Sequence, residues 1–220
     1  MILDTTGVFT VPFSLVNSLQ TIAYHEAGHC VVAILCGLQV RHVTIRPGKR
    51  KNTRGYFTLG HVALRQSRSV QSPEQVQARI IGWLLTCYAG LICQRILAGE
   101  SSENLSSAED DYQTALAIQS KCLAEPHRTE ANIKQFSKIA CLSTIQFLAS
   151  PGVWQDVVSV ANALIERTTL TGGQAKRLIR SDPFRLLSLV PGISPVVNVF
   201  KLDASALLPL TFQTLEISGL

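Results

Sequence analysis

Two histidines stand four residues apart, with a glutamate between them, inside a stretch that is otherwise apolar: Ala23-Tyr24-His25-Glu26-Ala27-Gly28-His29-Cys30-Val31-Val32. The pattern predicts a helix from Ser18 to about Cys36, stopped by Gly37, with His25 and His29 one turn apart on one face. Burying three titratable groups within five residues of an apolar helix is costly unless something satisfies them. A fold built around this segment must therefore deliver a cation or a counter-charge to it.

Imidazoles at positions i and i+4 can share one Zn²⁺ at roughly 2.0 to 2.1 Å while the helix stays regular. Glu26 is rotated away from both rings, which suits a general base beside an activated water better than a metal ligand. A hydrolytic zinc site needs a third protein ligand and leaves the fourth position for water. Glu109-Asp110-Asp111 supplies acids at the start of another predicted helix. With Ser107 as N-cap, Asp110 falls at the third helical position and completes a pattern like a capping box. Asp111 instead shares its face with Ala115, Ile118 and Cys122, the side that turns inward. An inward carboxylate needs a cation, so Asp111 is the preferred third ligand. Glu100, just past the helix stop at Gly99, is its competitor.

The rest of the chain can enclose such a site. It has 220 residues, 46% hydrophobic and 16% charged, which excludes a disordered region or a disulfide-stapled mini-protein. The six cysteines form no CxxC pair and mostly lie in apolar helical stretches, so a reducing, intracellular and cytoplasmic setting is expected. Arg41 is the first basic residue, so the positive n-region of a secretory signal is missing. The longest apolar run, Ile80 to Leu91, is broken by Gly82, Thr86 and Gly90 and falls short of the roughly 20 residues needed to span a bilayer. It reads as a core helix. No transmembrane segment is expected, while a mean hydropathy of +0.23 leaves peripheral membrane contact open.

Capping and turn residues divide the remainder. Strands are expected at Val40–Arg46 and Gly55–Leu64, flanking a basic loop. Ser72-Pro73-Glu74-Gln75 opens a helix that ends at Gly99. Further helices are expected from Ser107 to about Ala124, from a Thr129 cap to Ala149, and from Val153 to Arg167 after a turn at Pro151-Gly152, with a short one before Pro183. The fold class is mainly α (α+β), with a small β-hairpin or sheet near the His25–His29 helix. Residues 1–17 form an N-terminal segment, 18–182 the metal-binding domain and 183–220 a C-terminal extension.

These residues resemble the peptidase domain of the FtsH-type, membrane-anchored AAA zinc metalloproteases. Thr21 to His29 is similar to that family's metal-binding helix, and Val40 to Pro47 to the strand that follows it. Ala89-Gly90 with Ile96-Leu97-Ala98-Gly99-Glu100 resembles the helix ending in a Gly-Glu pair. Ser107-Ala108-Glu109-Asp110-Asp111-Tyr112 resembles the segment whose aspartate, falling on Asp111, is the third zinc ligand. Leu164 to Leu170 is similar to the late helix and its exit. The similarity covers residues 18 to 181. Leu91, Gln94 and Arg95 depart from it, standing where the family has arginine and paired acids, and Ser107 replaces a glycine. No glycine-rich phosphate loop ending in Gly-Lys-Ser/Thr occurs in this sequence, so the ATPase module of the family is absent from it.

The resemblance implies a zinc metallopeptidase that carries one Zn²⁺ per chain on His25, His29 and Asp111, with Glu26 as base, and hydrolyses unfolded or flexible polypeptides. Family members hold an extended substrate against an edge strand, a role open here to Val40–Arg46 or Gly55–Leu64. A separate ATPase chain as partner and a homo-oligomer are both compatible with it. The alternative is a catalytically silent, zinc-stabilised module that docks onto an AAA protease or another assembly. A net charge of +5, with Arg46, Lys49, Arg50, Lys51 and Arg54 around the hairpin loop, raises nucleic-acid binding. No stacking aromatics accompany these residues, so nucleic acid is not the expected partner. Trp83, Trp154, His42, His61 and His127 are expected to pack or face solvent, with His61 the one to check near the metal.

Overall fold

The computed structural model describes residues 19–46, 61–64, 73–99, 109–122, 129–182 and 216–218. In chain order they form α1 (Leu19–Leu35), β1 (Val40–Thr44), β2 (His61–Leu64), α2 (Pro73–Ala98), α3 (Glu109–Cys122), α4 (Glu130–Leu148), α5 (Pro151–Arg167), β3 (Thr169–Thr171), α6 (Gly172–Leu178) and β4 (Glu216–Ser218). The protein is mainly α-helical with one small antiparallel sheet, the expected class. Ser107, Glu100, His127 and the basic residues Lys49, Arg50, Lys51 and Arg54 lie outside the described residues, as do most of residues 183–220.

Helix α1 stops where its glycine dictates. Gly37 sits at φ +75°. Its N–H donates to the Ile34 carbonyl at 3.0 Å, and Leu38 N–H reaches back to Ala33 at 2.8 Å. This pair of bonds satisfies the last helical carbonyls and folds Leu38 onto the core.

Helix α2 packs most extensively against α1 and also contacts α3 and α4. Small residues let α1 and α2 approach closely. A Cβ on Gly28 would stand 2.6 Å from Cys93 Sγ and 2.8 Å from the Ala89 carbonyl oxygen. The segment Ala78–Ala98 of α2 is long and apolar enough to cross a membrane by length and composition alone, yet 72% of it is buried inside the protein. Its apolar surface is spent on neighbouring helices, which is the behaviour of a core helix.

One expectation about a turn needs correction. Pro151 and Gly152 form the first turn of α5 and do not make a separate turn. Proline is tolerated there because its missing N–H would have no intrahelical partner. The Thr129 cap does form, its Oγ1 accepting from Asn132 N–H at 3.2 Å. After α5, Thr168 adopts φ +60°, unusual for a β-branched residue. Its carbonyl accepts from Ile45 N–H and Thr44 Oγ1, and its hydroxyl accepts from Arg46 Nε. The chain then enters β3, an element the sequence pattern did not suggest, and Thr171 with Gln174 forms a capping box that starts α6.

The sheet order is β3-β1-β2-β4, with every pairing antiparallel. Strand β1 is therefore interior, and the expectation that Val40–Arg46 offers a free edge does not hold. Its two sides are taken by β2, with Val43 opposite Val62, and by β3, with Val43 opposite Leu170. Strand β2, from the Gly55–Leu64 alternative, carries β4 on its other side, with Val62 opposite Ile217. Pattern reading missed β3 and β4 because three residues are too few to show a period of two.

Candidate metal centre

Helix α1 delivers His25, Glu26 and His29, and α3 delivers Asp111. All four side chains are buried, with His29 and Glu26 fully so. His25 Nε2 and His29 Nε2 lie 3.0 Å apart. Asp111 Oδ2 is 3.2 Å from the first and 3.1 Å from the second. Donor atoms on a tetrahedral zinc with bonds of roughly 2.05 Å would be about 3.3 Å apart, so this triangle is close to the required size.

The proton inventory makes the same point chemically. His29 Nδ1 donates to the Thr86 carbonyl at 2.6 Å, and His25 Nδ1 faces Gln94 Oε1 at 3.3 Å. Each neutral ring then carries its proton on Nδ1 and turns a bare Nε2 lone pair inward. Two lone pairs and a carboxylate oxygen converge with no proton among them. A cation resolves that arrangement, and these residues fit one. The group His25, His29 and Asp111 could hold a metal ion.

Glu26 belongs to the same centre but is not one of the converging donors. Among the described residues, neither of its carboxylate oxygens has a hydrogen-bond partner. Burial pushes its carboxyl up to about 8, His25 pulling it down and Asp111 adding to the rise. Burial also works against the Asp111 carboxylate, and positive charge at the His29 and His25 donor atoms, whether a proton or a cation, is what holds that group below its ordinary value. Two acids in one pocket are thus driven in opposite directions, an arrangement suited to dividing roles between them.

Three residues that the sequence pattern did not single out as part of the site shape it. Gln94 and the Thr86 backbone set the imidazole orientations, as outer partners of metal-binding histidines do. Gly90 leaves the space the rings occupy, since a Cβ there would collide with His29 Nε2 and stand 2.8 Å from His25 Nε2. Glycine at 90 was a visible signal, although only the packing of α2 on α1 reveals its purpose. Glu100, the competing ligand, lies outside the described residues, and of His61 only the strand position is described. His42 is half-buried on β1, and Trp154 packs its ring 5.9 Å from that of Tyr24.

No known protein-family model matches the chain. The class of site therefore rests on its own geometry: a buried centre of two histidines and one carboxylate, with a second, unpartnered carboxylate beside it.

Proposed function

We propose that this chain is a zinc-dependent endopeptidase of the FtsH peptidase type, acting on unfolded or flexible polypeptide. The observation that carries this reading is the Glu26 carboxylate, fully buried and unpartnered beside three converging donor atoms. A merely structural zinc site has no need of such a group, and burying it unused costs several kcal/mol on the usual scale, about 2 to 7. The resemblance of Thr21–His29 and Ser107–Tyr112 to the family's ligand segments supports the same choice.

His25, His29 and Asp111 would hold the ion. A bound Zn²⁺ supplies Lewis acidity to a carbonyl and makes a nearby water acidic enough to attack at neutral pH. Thr86 and Gln94 keep both Nε2 atoms aimed inward, so the ligand rings need not reorient during turnover. Glu26 is neutral near pH 7 while only burial acts on it, and a divalent cation beside it favours the carboxylate instead. Its Oε atoms then accept the proton of the attacking water and return it to the departing amine nitrogen.

The test compares wild type with Glu26→Gln, following zinc per chain and cleavage of an unstructured polypeptide. Loss of a general base should lower turnover by about 10² to 10⁴ with zinc retained. Undiminished cleavage by the variant would remove the proposed base. Zinc bound without cleavage in either protein would select the silent docking module.

A further inference from the structure

We propose that strand β4 occupies the polypeptide-binding edge of β2, so that the chain blocks its own site until an extended polypeptide displaces it. Strand β2 has two sides. One is paired with β1 and the other with β4. Strand β2 contacts α1, which carries His25 and His29, while β4 packs against α3, which carries Asp111. A segment in the place of β4 therefore touches both β2 and the helix that carries Asp111.

The two outer strands differ in their connections to the described helices. Strand β3 is continuous with α5 before it and α6 after it, and Thr171 is both its last residue and the N-cap of α6. It cannot leave without disturbing both helices. Strand β4 is separated from α6 by residues 179–215 and meets β2 through three register pairs, His61 with Ser218, Val62 with Ile217 and Ala63 with Glu216. Removing it leaves the β1–β2 and β1–β3 pairings intact and exposes a row of backbone N–H and C=O groups on β2. Such an edge takes up extended chain through main-chain bonds, whatever the sequence of that chain. The occupant is thus a tethered strand of the same chemical class as the ligand. Belonging to the same chain raises its local concentration at that edge. With an effective concentration of roughly 1 mM and a strand affinity of roughly 0.1 mM, self-occupation weakens an external peptide by about tenfold.

The identity of the displacing ligand rests on the peptidase reading above, whereas the displacement itself does not. The experiment uses a fluorescein-labelled peptide of residues 212–220 and zinc-loaded protein in the Glu26→Gln background. Its affinity is measured by anisotropy for the full chain, for Ile217→Pro and for a chain ending at Leu215. Both altered chains should bind about tenfold more tightly than the full chain, and equal affinities overturn the proposal. In the unaltered chain, excess peptide should speed amide exchange at residues 216–218. This readout needs no variant to fold, and unchanged exchange also overturns the proposal. With Glu26 present, the same two alterations should lower KM for an unstructured polypeptide about tenfold and leave kcat nearly unchanged. Tighter peptide binding with no cleavage by any chain would sink the peptidase reading while leaving β4 as the displaceable strand.

Discussion

Asp156 on α5 and Glu26 on α1 are both carboxylates with almost no exposure, 2% and 0%, yet their surroundings are opposite. Asp156 accepts the Arg180 N–H at 2.9 Å and the Ser181 N–H at 3.1 Å, pinning the chain that leaves α6. Glu26 accepts nothing from the described residues. The same contrast runs through larger groups. Ser137, Gln119 and Tyr88 form a closed chain of hydrogen bonds that ties α4, α3 and α2 together, with Ser137 Oγ donating to Gln119 Oε1 at 2.6 Å and Gln119 Nε2 donating to Tyr88 at 3.2 Å. His25, His29 and Asp111 instead turn acceptors toward one another. Polar groups buried for structure find their partners within the chain, whereas the group His25, His29 and Asp111 could hold a metal ion.

The strongest way to break this comparison is to remove the converging carboxylate. Asp111→Ala should lower zinc affinity by more than about 10²-fold, the most that loss of an outer partner usually costs, as read by competition with a chromogenic chelator. Unchanged affinity would move the third ligand to Glu100. Gly90→Ala tests the space and not the donors. Its Cβ would enter the volume of the two rings, and zinc affinity should drop by about 10- to 100-fold although no ligand is altered.

Asp156→Ala should do the reverse. Zinc per chain stays unchanged, while two backbone N–H groups lose their acceptor and stability falls by about 1 to 3 kcal/mol in urea unfolding. A loss of zinc in that variant would erase the distinction between the two carboxylates. The smallest effect concerns a group buried neutral. Burial pushes the Cys141 thiol up to about 11, with Arg95 opposing the shift. The unfolded chain ionises this thiol near pH 9 while the folded chain keeps its proton. The stabilisation is therefore complete below about pH 9 and lost as pH rises toward 11. Between pH 8.5 and 10.5 the loss of stability should be smaller in Cys141→Ala than in wild type by roughly 1 kcal/mol, allowing for partial solvent screening.

Local chemistry was the most legible part of the sequence. The Gly37 stop, the Thr129 cap and the bounds of α2 each depend on residues within a few positions of one another, and they occur as their patterns imply. The inward face of α3 was also readable, since Asp111, Ala115 and Ile118 are buried together. Strand order was not legible. Val40–Thr44 reads equally well as an edge or an interior strand, and the difference depends on Thr169–Thr171, more than 120 residues away in sequence. The roles of Gln94 and Gly90 were not legible in a linear reading because they depend on which face of α2 meets α1.

The sequence by itself determined that His25, Glu26 and His29 share one helix with the two imidazoles on a common face, because a helical turn is set by backbone geometry over four residues. Tertiary structure alone decided that Asp111, 82 residues beyond His29, closes to within 3.1 Å of it. It also decided that β4 lies along β2 and that Glu26 is left without a partner among the described residues. Those outcomes depend on how helices and strands pack across long separations, where many side chains compete for the same space and no local period records the result.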